Sequence, residues 1–386
     1  MFLESVEYTQ FEGRPSEWKL EGCTLGDINL IVGQNATGKS RTLNVIARLA
    51  DLLSGDHKLT YLSGNYKVIF DNKNAKVRYT LKYENSNVIE ERLDIDSQNR
   101  LWRGKDGIGE IYYEKEEKLL EFQTPPNELA VVARRDSIQH PFLQNLYDWG
   151  KSVRQYLFGT QLGKDQWLLV TQDKDKAKAD QQILNLKDPN TVVAIFREGQ
   201  KKFSNRFTDT IIRDMGIIGY ELKEINTATP HSIVIQGALP GELVGLYVQE
   251  SDLAGTTDQG DISQGMFRAL SLIIQITYSQ LAGVPSCILI DDIGEGLDYE
   301  RSSALIKLLI ARAKDSAIQL IMATNDRFVM NNAPLEYWSV IHRIGGVSKI
   351  YNYRNSPKLF KDFELTGLNN FDFFSSRYYL KDSTQN

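Results

Sequence analysis

The chain has 386 residues, 41% of them hydrophobic and 25% charged, the make-up of a globular protein with one large or two ordinary domains. Its 45 basic and 50 acidic residues leave a formal net charge of −5, which argues against a generic nucleic-acid coat protein but leaves room for a local basic patch. No run of about 18 apolar residues occurs, so no membrane-spanning helix is expected, and the first residues lack the basic and apolar regions of a secretory signal.

In chain order, residues 1–53 read as strand, turn, strand, phosphate loop and helix. Ile28-Asn29-Leu30-Ile31-Val32 is apolar and β-branched, as a buried strand should be. The next eight residues, Gly33-Gln34-Asn35-Ala36-Thr37-Gly38-Lys39-Ser40, fit G-x-x-x-x-G-K-[ST], the pattern of a phosphate-binding loop. Leu43, Ile46, Ala47, Leu49 and Ala50 then recur at helical spacing between Arg41 and Leu53. Gly33 and Gly38 let the backbone bend around an anion. Successive N–H groups then face the phosphates, and the helix N-terminus adds partial positive charge. Lys39 is placed to reach the β- and γ-phosphates and the Ser40 hydroxyl to ligate Mg²⁺. Candidate nucleotide-binding residues here are Gly33, Asn35, Ala36, Thr37, Gly38, Lys39, Ser40 and Arg41.

From Thr60 to Glu121, β-formers alternate or cluster between Asn, Gly and Asp turns such as Asp71-Asn72-Lys73-Asn74, the pattern of an antiparallel meander. Thr124-Pro125-Pro126 closes it. Leu129-Ala130-Val131-Val132-Ala133 reads as a further strand. Leu143, Leu146, Tyr147, Trp149, Val153 and Leu157 then read as one helical stretch. Residues 160–190 are polar, and the mixed-charge run Asp173–Asp180 reads as a solvated face. Residues 190–216 read as an amphipathic helix bearing Lys201, Lys202, Arg206 and Arg213. Short strands are expected at Ser232–Ile235 and Leu243–Val248. There is no internal repeat and no sustained heptad pattern, so no long coiled-coil arm is expected.

The residues that would complete a nucleotide site come some 250 positions after the phosphate loop. Cys287-Ile288-Leu289-Ile290-Asp291-Asp292 is an apolar run ending in two carboxylates. A buried strand can place Asp291 at its C-terminal end to hold Mg²⁺, with Asp292 orienting or deprotonating an attacking water. Before it stands Asp261-Ile262-Ser263-Gln264-Gly265, leading into an apolar helix through Leu272 to Leu281. After it come Gly294-Glu295-Gly296-Leu297-Asp298, a helix over Tyr299–Ala313, and a buried strand, Ile318–Asp326.

This order resembles the ATPase heads of ABC type, in particular the stand-alone bacterial group related to SMC and RecF proteins, many of them ATPase subunits of anti-phage or DNA-repair systems. The likeness is strong over about residues 1–55 and 255–345, and extends to the ending Phe363-Glu364-Leu365-Thr366-Gly367-Leu368-Asn369-Asn370. It implies an α/β fold: a P-loop ABC-type ATPase head with an antiparallel β lobe and an inserted helical lobe. The expected divisions are the first part of the ATPase core (1–59), the β lobe (60–135), a mainly helical insertion (136–255), the second part of the core (256–350) and a C-terminal tail (351–386). The cofactors implied are ATP and Mg²⁺, with Asn35, Gly38, Lys39 and Ser40 on the triphosphate and metal and Asp291 as the second carboxylate on the Mg²⁺ side. Ser263 and Gly265 match the signature motif that contacts the γ-phosphate bound to the opposite subunit. Asp298 matches the loop that crosses between subunits. Complete sites would then form in a head-to-tail homodimer, or a higher homo-oligomer, sandwiching ATP.

The chain departs from the family twice. Asp292 stands where Glu is usual, with Glu295 as an alternative carboxylate for the water. Asn325 stands where His is frequent; it can hydrogen-bond a γ-phosphate but cannot carry a proton. Both point to a slow ATPase. The glutamine loop that usually meets the metal is not obvious, and Gln139 is its candidate beside a plain surface reading.

Three functions follow: an ATP-driven dimer switch coupled to a protein effector; a DNA clamp of RecF type using Arg134, Arg135, Lys201, Lys202, Arg206 and Arg213; and a scaffold locked by ATP with little hydrolysis. No membrane partner is expected. Cys23 and Cys287 lie in apolar segments and the four histidines are scattered, so neither a disulfide nor a zinc site is expected. A reducing cytoplasm is the natural setting.

Overall fold

The structure, a computed structural model, describes residues 1–72, 75–170, 185–233, 241–283, 286–314 and 316–384. The expected charged run at 173–180, part of the turn at 71–74 and the end of the strand expected at 232–235 lie outside them. In chain order, β1 (Phe2–Gln10), β2 (Trp18–Thr24) and β3 (Ile28–Val32) lead to α1 (Lys39–Leu53). Next come β4 (Ser63–Asp71), β5 (Lys76–Glu84), β6 (Asn87–Ile95), β7 (Gln98–Arg103), β8 (Ile108–Tyr113) and β9 (Lys118–Gln123). They are followed by α2 (Ala130–Ala133), α3 (Gln144–Ser152), β10 (Val153–Leu157), β11 (Leu168–Val170), α4 (Val192–Phe203), α5 (Asn205–Ile217), β12 (Leu222–Ala228), β13 (Glu242–Glu250) and β14 (Thr257–Asp258). The remainder is α6 (Gln264–Leu281), β15 (Ser286–Asp291), α7 (Tyr299–Lys314), β16 (Ile318–Thr324), α8 (Arg327–Asn332), β17 (Trp338–Ile344), β18 (Val347–Asn352), α9 (Pro357–Glu364) and α10 (Asn370–Ser375).

Two compact units divide the chain. The first comprises Met1–Val153, Gln319–Asn325 and Ala333–Asn386. Its sheet runs β16-β3-β17-β18-β2-β1-β4-β5-β6-β7-β8-β9. β3 lies parallel to β16 on one side (Leu320 opposite Ile28, Thr324 opposite Val32) and to β17 on the other (Trp338 opposite Leu30). Every residue of β3 and β16 is buried, which is why both read as continuous apolar runs rather than alternating ones. The buried amide in β16 is satisfied: Gln319 Nε2 donates to Leu3 O (2.7 Å) and Gly26 O (3.0 Å), and its Oε1 accepts from Leu3 N–H (3.0 Å). From β4 to β9 the strands are antiparallel hairpins, and in β4 and β5 buried residues alternate with more exposed ones, as a sheet with one covered face requires.

The second unit comprises Arg154–Ile318 and Asp326–Asn332. Its central helix, α6, is buried along most of its length, from Gly265 to Ser279, and α4 and α5 pack near it, with Phe203 meeting Tyr278 ring to ring (5.9 Å between centroids). β15 pairs with β10, while β13 pairs with β11, β12 and β14.

Three sequence expectations are corrected. Leu129–Ala133 is not a strand: Ala130–Ala133 forms the short helix α2, because Glu91, fully buried on β6, accepts the Ala130 and Val131 N–H groups (2.7 and 3.1 Å) and satisfies its N-terminus. The stretch from Leu143 to Leu157 is helical only to Ser152; Val153–Leu157 turns into a strand paired with β15. Residues 190–216 form two helices broken at Ser204, whose φ of 50° is left-handed. The break folds α5 back so that Phe207 packs on Phe196 (5.7 Å between ring centroids).

Glu91 also accepts from the Tyr79 hydroxyl (3.0 Å) and lies in the field of the buried Arg103 guanidinium. Burial pushes its pKa up, and the N–H donors and Arg103 only partly oppose this. Removing the carboxylate strands two helix N–H groups and a buried cation. Glu91→Ala is expected to lower the unfolding free energy by about 3 kcal/mol, read as a fall in urea midpoint with an unchanged slope; a midpoint equal to wild type would show that the carboxylate does not cap α2.

Candidate functional site

In the first unit, residues 33–40 connect β3 to α1. Two left-handed residues shape the turn, Ala36 (φ 62°) and Gly38 (φ 111°). Gly33 admits no side chain, because a Cβ there would fall 2.6 Å from Ile341 Cγ2 and 2.9 Å from Ile341 O. Gln34, Asn35, Ala36 and Ser40 are exposed, whereas Thr37 and Lys39 are buried. The Lys39 ammonium donates to the loop's own carbonyls, Gly33 O (2.9 Å) and Gln34 O (3.1 Å), which holds a full positive charge inside the turn. The Thr37 hydroxyl donates to Gln34 O (2.8 Å).

Residues from far along the chain brace this turn. The buried Ser348 hydroxyl donates to Thr37 O (2.8 Å) and accepts from the Trp18 indole N–H (3.0 Å). Arg343 donates to Ala36 O (3.3 Å). Asn325, just past β16, donates from its amide to Asn35 Oδ1 (3.1 Å), so these two predicted residues do meet. Arg41 is turned away: it donates to Gln10 Oε1 (2.6 Å) and stacks 4.0 Å over Trp18. Gln139 lies in an exposed turn, its N–H donating to Asp136 Oδ1 (2.7 Å) and its carbonyl accepting from Glu114 N–H (3.1 Å).

In the second unit, Asp291 ends β15, and its carbonyl accepts from Phe158 N–H (3.0 Å). Asp292 follows with φ 53°, a left-handed conformation that a non-glycine residue adopts at a cost, and its N–H donates to Asp291 Oδ1 (3.1 Å). The turn continues through left-handed Gly294 (φ 95°) and Gly296 (φ 79°). Asp298 caps α7: it accepts from Arg301 N–H (2.9 Å) and from the Arg301 guanidinium. The Arg301 backbone N–H and then its side chain hold the Asp298 carboxyl below the ordinary carboxylate range. Ser263 caps α6, its hydroxyl accepting from Met266 N–H (3.4 Å). Gly265 packs directly on the 294–298 turn, for a Cβ on it would meet Gly296 O at 2.6 Å. Glu295 lies against Gly159, where a Cβ would come within 2.4 Å of its Oε2.

The motifs did not point to four residues: Trp18, Ser348 and Arg343 in the first unit, and Arg268 in the second. Arg268 donates to Gly159 O (2.7 Å), Thr160 O (2.8 Å) and Glu295 O (3.1 Å), joining α6 to two loops. Ser348, Arg343 and Arg268 act on backbone carbonyls and Trp18 acts through the Ser348 hydroxyl, and such contacts leave no residue pattern to find. Among the described residues no cluster of three or more His, Cys, Asp or Glu side chains is placed to hold a metal by itself. No helix among the described residues is long and apolar enough to cross a membrane.

Residues 28–331 match the family described as "AAA domain, putative AbiEii toxin, Type IV TA system", and the chain belongs to that family. Its fold is similar to that of an Smc head bound to the C-terminal winged-helix domain of ScpA, with a TM-score of 0.52 and 14% identity over 91% of this chain and 97% of that one. Two further Smc heads match. That of Pyrococcus furiosus, with an extended coiled coil and bound to the C-terminal domain of ScpA, gives 13% identity, 94% and 99% coverage and a TM-score of 0.48. That of Thermotoga maritima gives 14% identity, 91% and 99% coverage and 0.45. No curated protein matches the chain. The chain is thus an AAA-family domain with an α/β fold similar to that of an Smc head.

Ser348 is the residue on which the brace turns. Ser348→Ala leaves the Trp18 N–H and Thr37 O without a buried partner, and is expected to cost about 2 kcal/mol of stability and to speed amide exchange across residues 36–40, followed by mass spectrometry. Unchanged exchange in that loop would mean that the loop holds itself.

Proposed function

We propose that this protein binds and slowly hydrolyses ATP, and that ATP closes two copies head to tail as a switch coupled to a protein effector. What carries the reading is the Gly33–Ser40 turn: two left-handed residues, a helix N-terminus and a buried lysine ammonium that rests on loop carbonyls. That donor set fits a polyphosphate, since N–H groups and Lys39 supply the positive charge that three phosphates need. Gly33, Asn35, Ala36, Thr37, Gly38 and Lys39 would hold the phosphates. Ser40 and Asp291 would hold Mg²⁺, which supplies charge neutralisation at the phosphates, and Gln139 is the remaining candidate near it. Asp292 is the proposed carboxylate for the water, with Glu295 as alternate. The strained backbone at Asp292 favours it, because strain of this kind concentrates at functional positions. Asn325, held beside Asn35, would hydrogen-bond the γ-phosphate without carrying a proton.

Ser263 and Gly265 would present α6 to the γ-phosphate held by the partner copy, and Asp298 would lie on the crossing turn. The contact of the γ-phosphate with the partner copy's α6 then exists only in the closed dimer, and that differential contact is what can bias a two-state equilibrium. The fivefold division into core, β lobe, helical lobe, second core part and tail belongs to this reading. A protein effector is favoured by the Smc head of similar fold, which binds ScpA. A defence or toxin–antitoxin setting is favoured by the family description, and a soluble cytoplasmic one by the absence of a long apolar helix among the described residues.

The DNA-clamp alternative is weakened by where its cations go. Arg134 stacks on Phe122, Arg135 lies 3.5 Å over Tyr147, Lys202 pairs with Glu198 and Arg213 with Asp214. Lys201 and Arg206 are left exposed. An ATP-locked scaffold remains distinct through its lack of turnover.

Two variants test the switch. Lys39→Ala is expected to abolish ATP binding. Asp292→Asn is expected to keep binding, lose turnover and accumulate a dimer with ATP on a sizing column. Wild-type turnover well above ~1 s⁻¹, the low end of the usual range, would refute the slow switch. Assembly that needs Lys39 with no hydrolysis by any variant would select the scaffold.

A further inference from the structure

The sheet of the first unit ends at β9, and that edge is open. β8 and β9 run antiparallel without a register shift, with Ile108 opposite Gln123, Glu110 opposite Glu121 and Tyr112 opposite Leu119. Just beyond β9, Thr124 N–H donates to Gly107 O (3.0 Å). Hydrogen-bonded positions alternate in an antiparallel pair, so 118, 120 and 122 bond to β8 while 119, 121 and 123 turn their N–H and C=O groups outward. At Gln123 the carbonyl is already taken by the Arg134 guanidinium. At Leu119 and Glu121 the outward groups have no partner among the described residues.

The devices that usually blunt an edge are missing here. β9 has no proline, no bulge and no inward charge, and its only lysine, Lys118, is paired with Glu116 (2.5 Å). On the face that carries the outward residues, Trp102, Ile108 and Leu119 are 44%, 50% and 44% exposed. Between them Glu110 and Glu121 stand directly opposite each other, both exposed and neither in an ion pair. Like charges in that arrangement are unfavourable. Two of the nearby cations are committed: Arg92 donates to both Asp94 oxygens (2.8 and 3.0 Å), and Arg100 lies 4.0 Å over Tyr112. From Asp106 to Gln123 the sequence holds six acidic residues (106, 110, 114, 116, 117, 121) and two basic ones (115, 118).

We propose that β9 is a docking edge for an extended basic segment of a partner protein, added as one more strand to the sheet. Main-chain hydrogen bonds to Leu119 and Glu121 supply the pairing. A lysine or arginine opposite Glu121 relieves the Glu110–Glu121 repulsion, and an apolar residue two positions away covers Leu119 and Tyr112. Charge selects the occupant: a second copy paired through its own β9 would bring four carboxylates together, whereas a basic strand neutralises two. The edge stands independently of the nucleotide cycle, so its test is run without ATP.

The probe is a labelled synthetic peptide of alternating valine and lysine, compared with a valine–glutamate counterpart by fluorescence anisotropy on the full chain at low salt. The lysine peptide is expected to bind about tenfold tighter than the glutamate one, and to slow amide exchange over residues 118–123. Glu110→Lys with Glu121→Lys is expected to invert the preference. Leu119→Pro removes an outward N–H while sparing the β8 ladder, and is expected to weaken the lysine peptide by a similar factor. Equal binding of both peptides, or a preference that survives charge reversal, would overturn the proposal. So would a wild-type dimer dissolved by Leu119→Pro, which would assign the edge to a second copy.

Discussion

A loop that must keep successive N–H groups turned toward an anion loses that geometry if its carbonyl side can rotate. In this protein the carbonyl side is tied down at four positions. Lys39 holds Gly33 O and Gln34 O, Arg343 holds Ala36 O, and Ser348 holds Thr37 O while Trp18 holds Ser348. All but the Arg343 contact involve a buried group, where a hydrogen bond is stronger and its loss costs more than at the surface. The turn is therefore set before any ligand arrives, and the positive charge of Lys39 is stored on dipoles that a phosphate can replace.

The same brace explains why the strand order of the first unit matters. β3 is flanked by β16 and β17, both from the C-terminal third of the chain. These strands deliver Asn325 and Arg343 to the loop, and the β17–β18 hairpin returns Ser348 to it. Sequence separations of about 290 to 311 residues are thus closed by a parallel ladder. The long insertion between the loop and these strands is tolerated because loop closure entropy grows only slowly with length.

Legibility in the sequence follows the range of the interaction. The β3–loop–α1 unit was readable because its signals are contiguous: β-branched run, glycines, lysine, helical period. β15 and β16 were readable as apolar runs, and the meander as alternation. The errors came where a distant group decided the outcome. Leu129–Ala133 has strand-like composition, yet Glu91 supplies the acceptor that makes helix there. The helical period from Leu143 runs on past Ser152, but pairing with β15 claims Val153 onward. Ser348 and Arg268 were invisible because they bind carbonyls, which every residue has.

The turn after β15 gives a physical reason for the residue that departs most from the family pattern. The resemblance leads one to expect glutamate at 292, but the backbone there is left-handed, at φ 53°. Aspartate and asparagine enter that region more readily than longer side chains, since their short polar groups bond locally. The Asp292 N–H is already used by Asp291 Oδ1, and its carbonyl accepts from Glu295 N–H (3.1 Å). Gly294 and Gly296 continue the left-handed path, and Gly265 packs so closely on Gly296 O that a Cβ there would fall 2.6 Å from it. Arg268, three residues further along α6, donates to Glu295 O in the same turn. α6 and the acidic turn of the second unit are therefore joined at two points, Gly265 and Arg268. The shorter carboxylate at 292 fits the left-handed backbone of that turn, which longer side chains enter less readily.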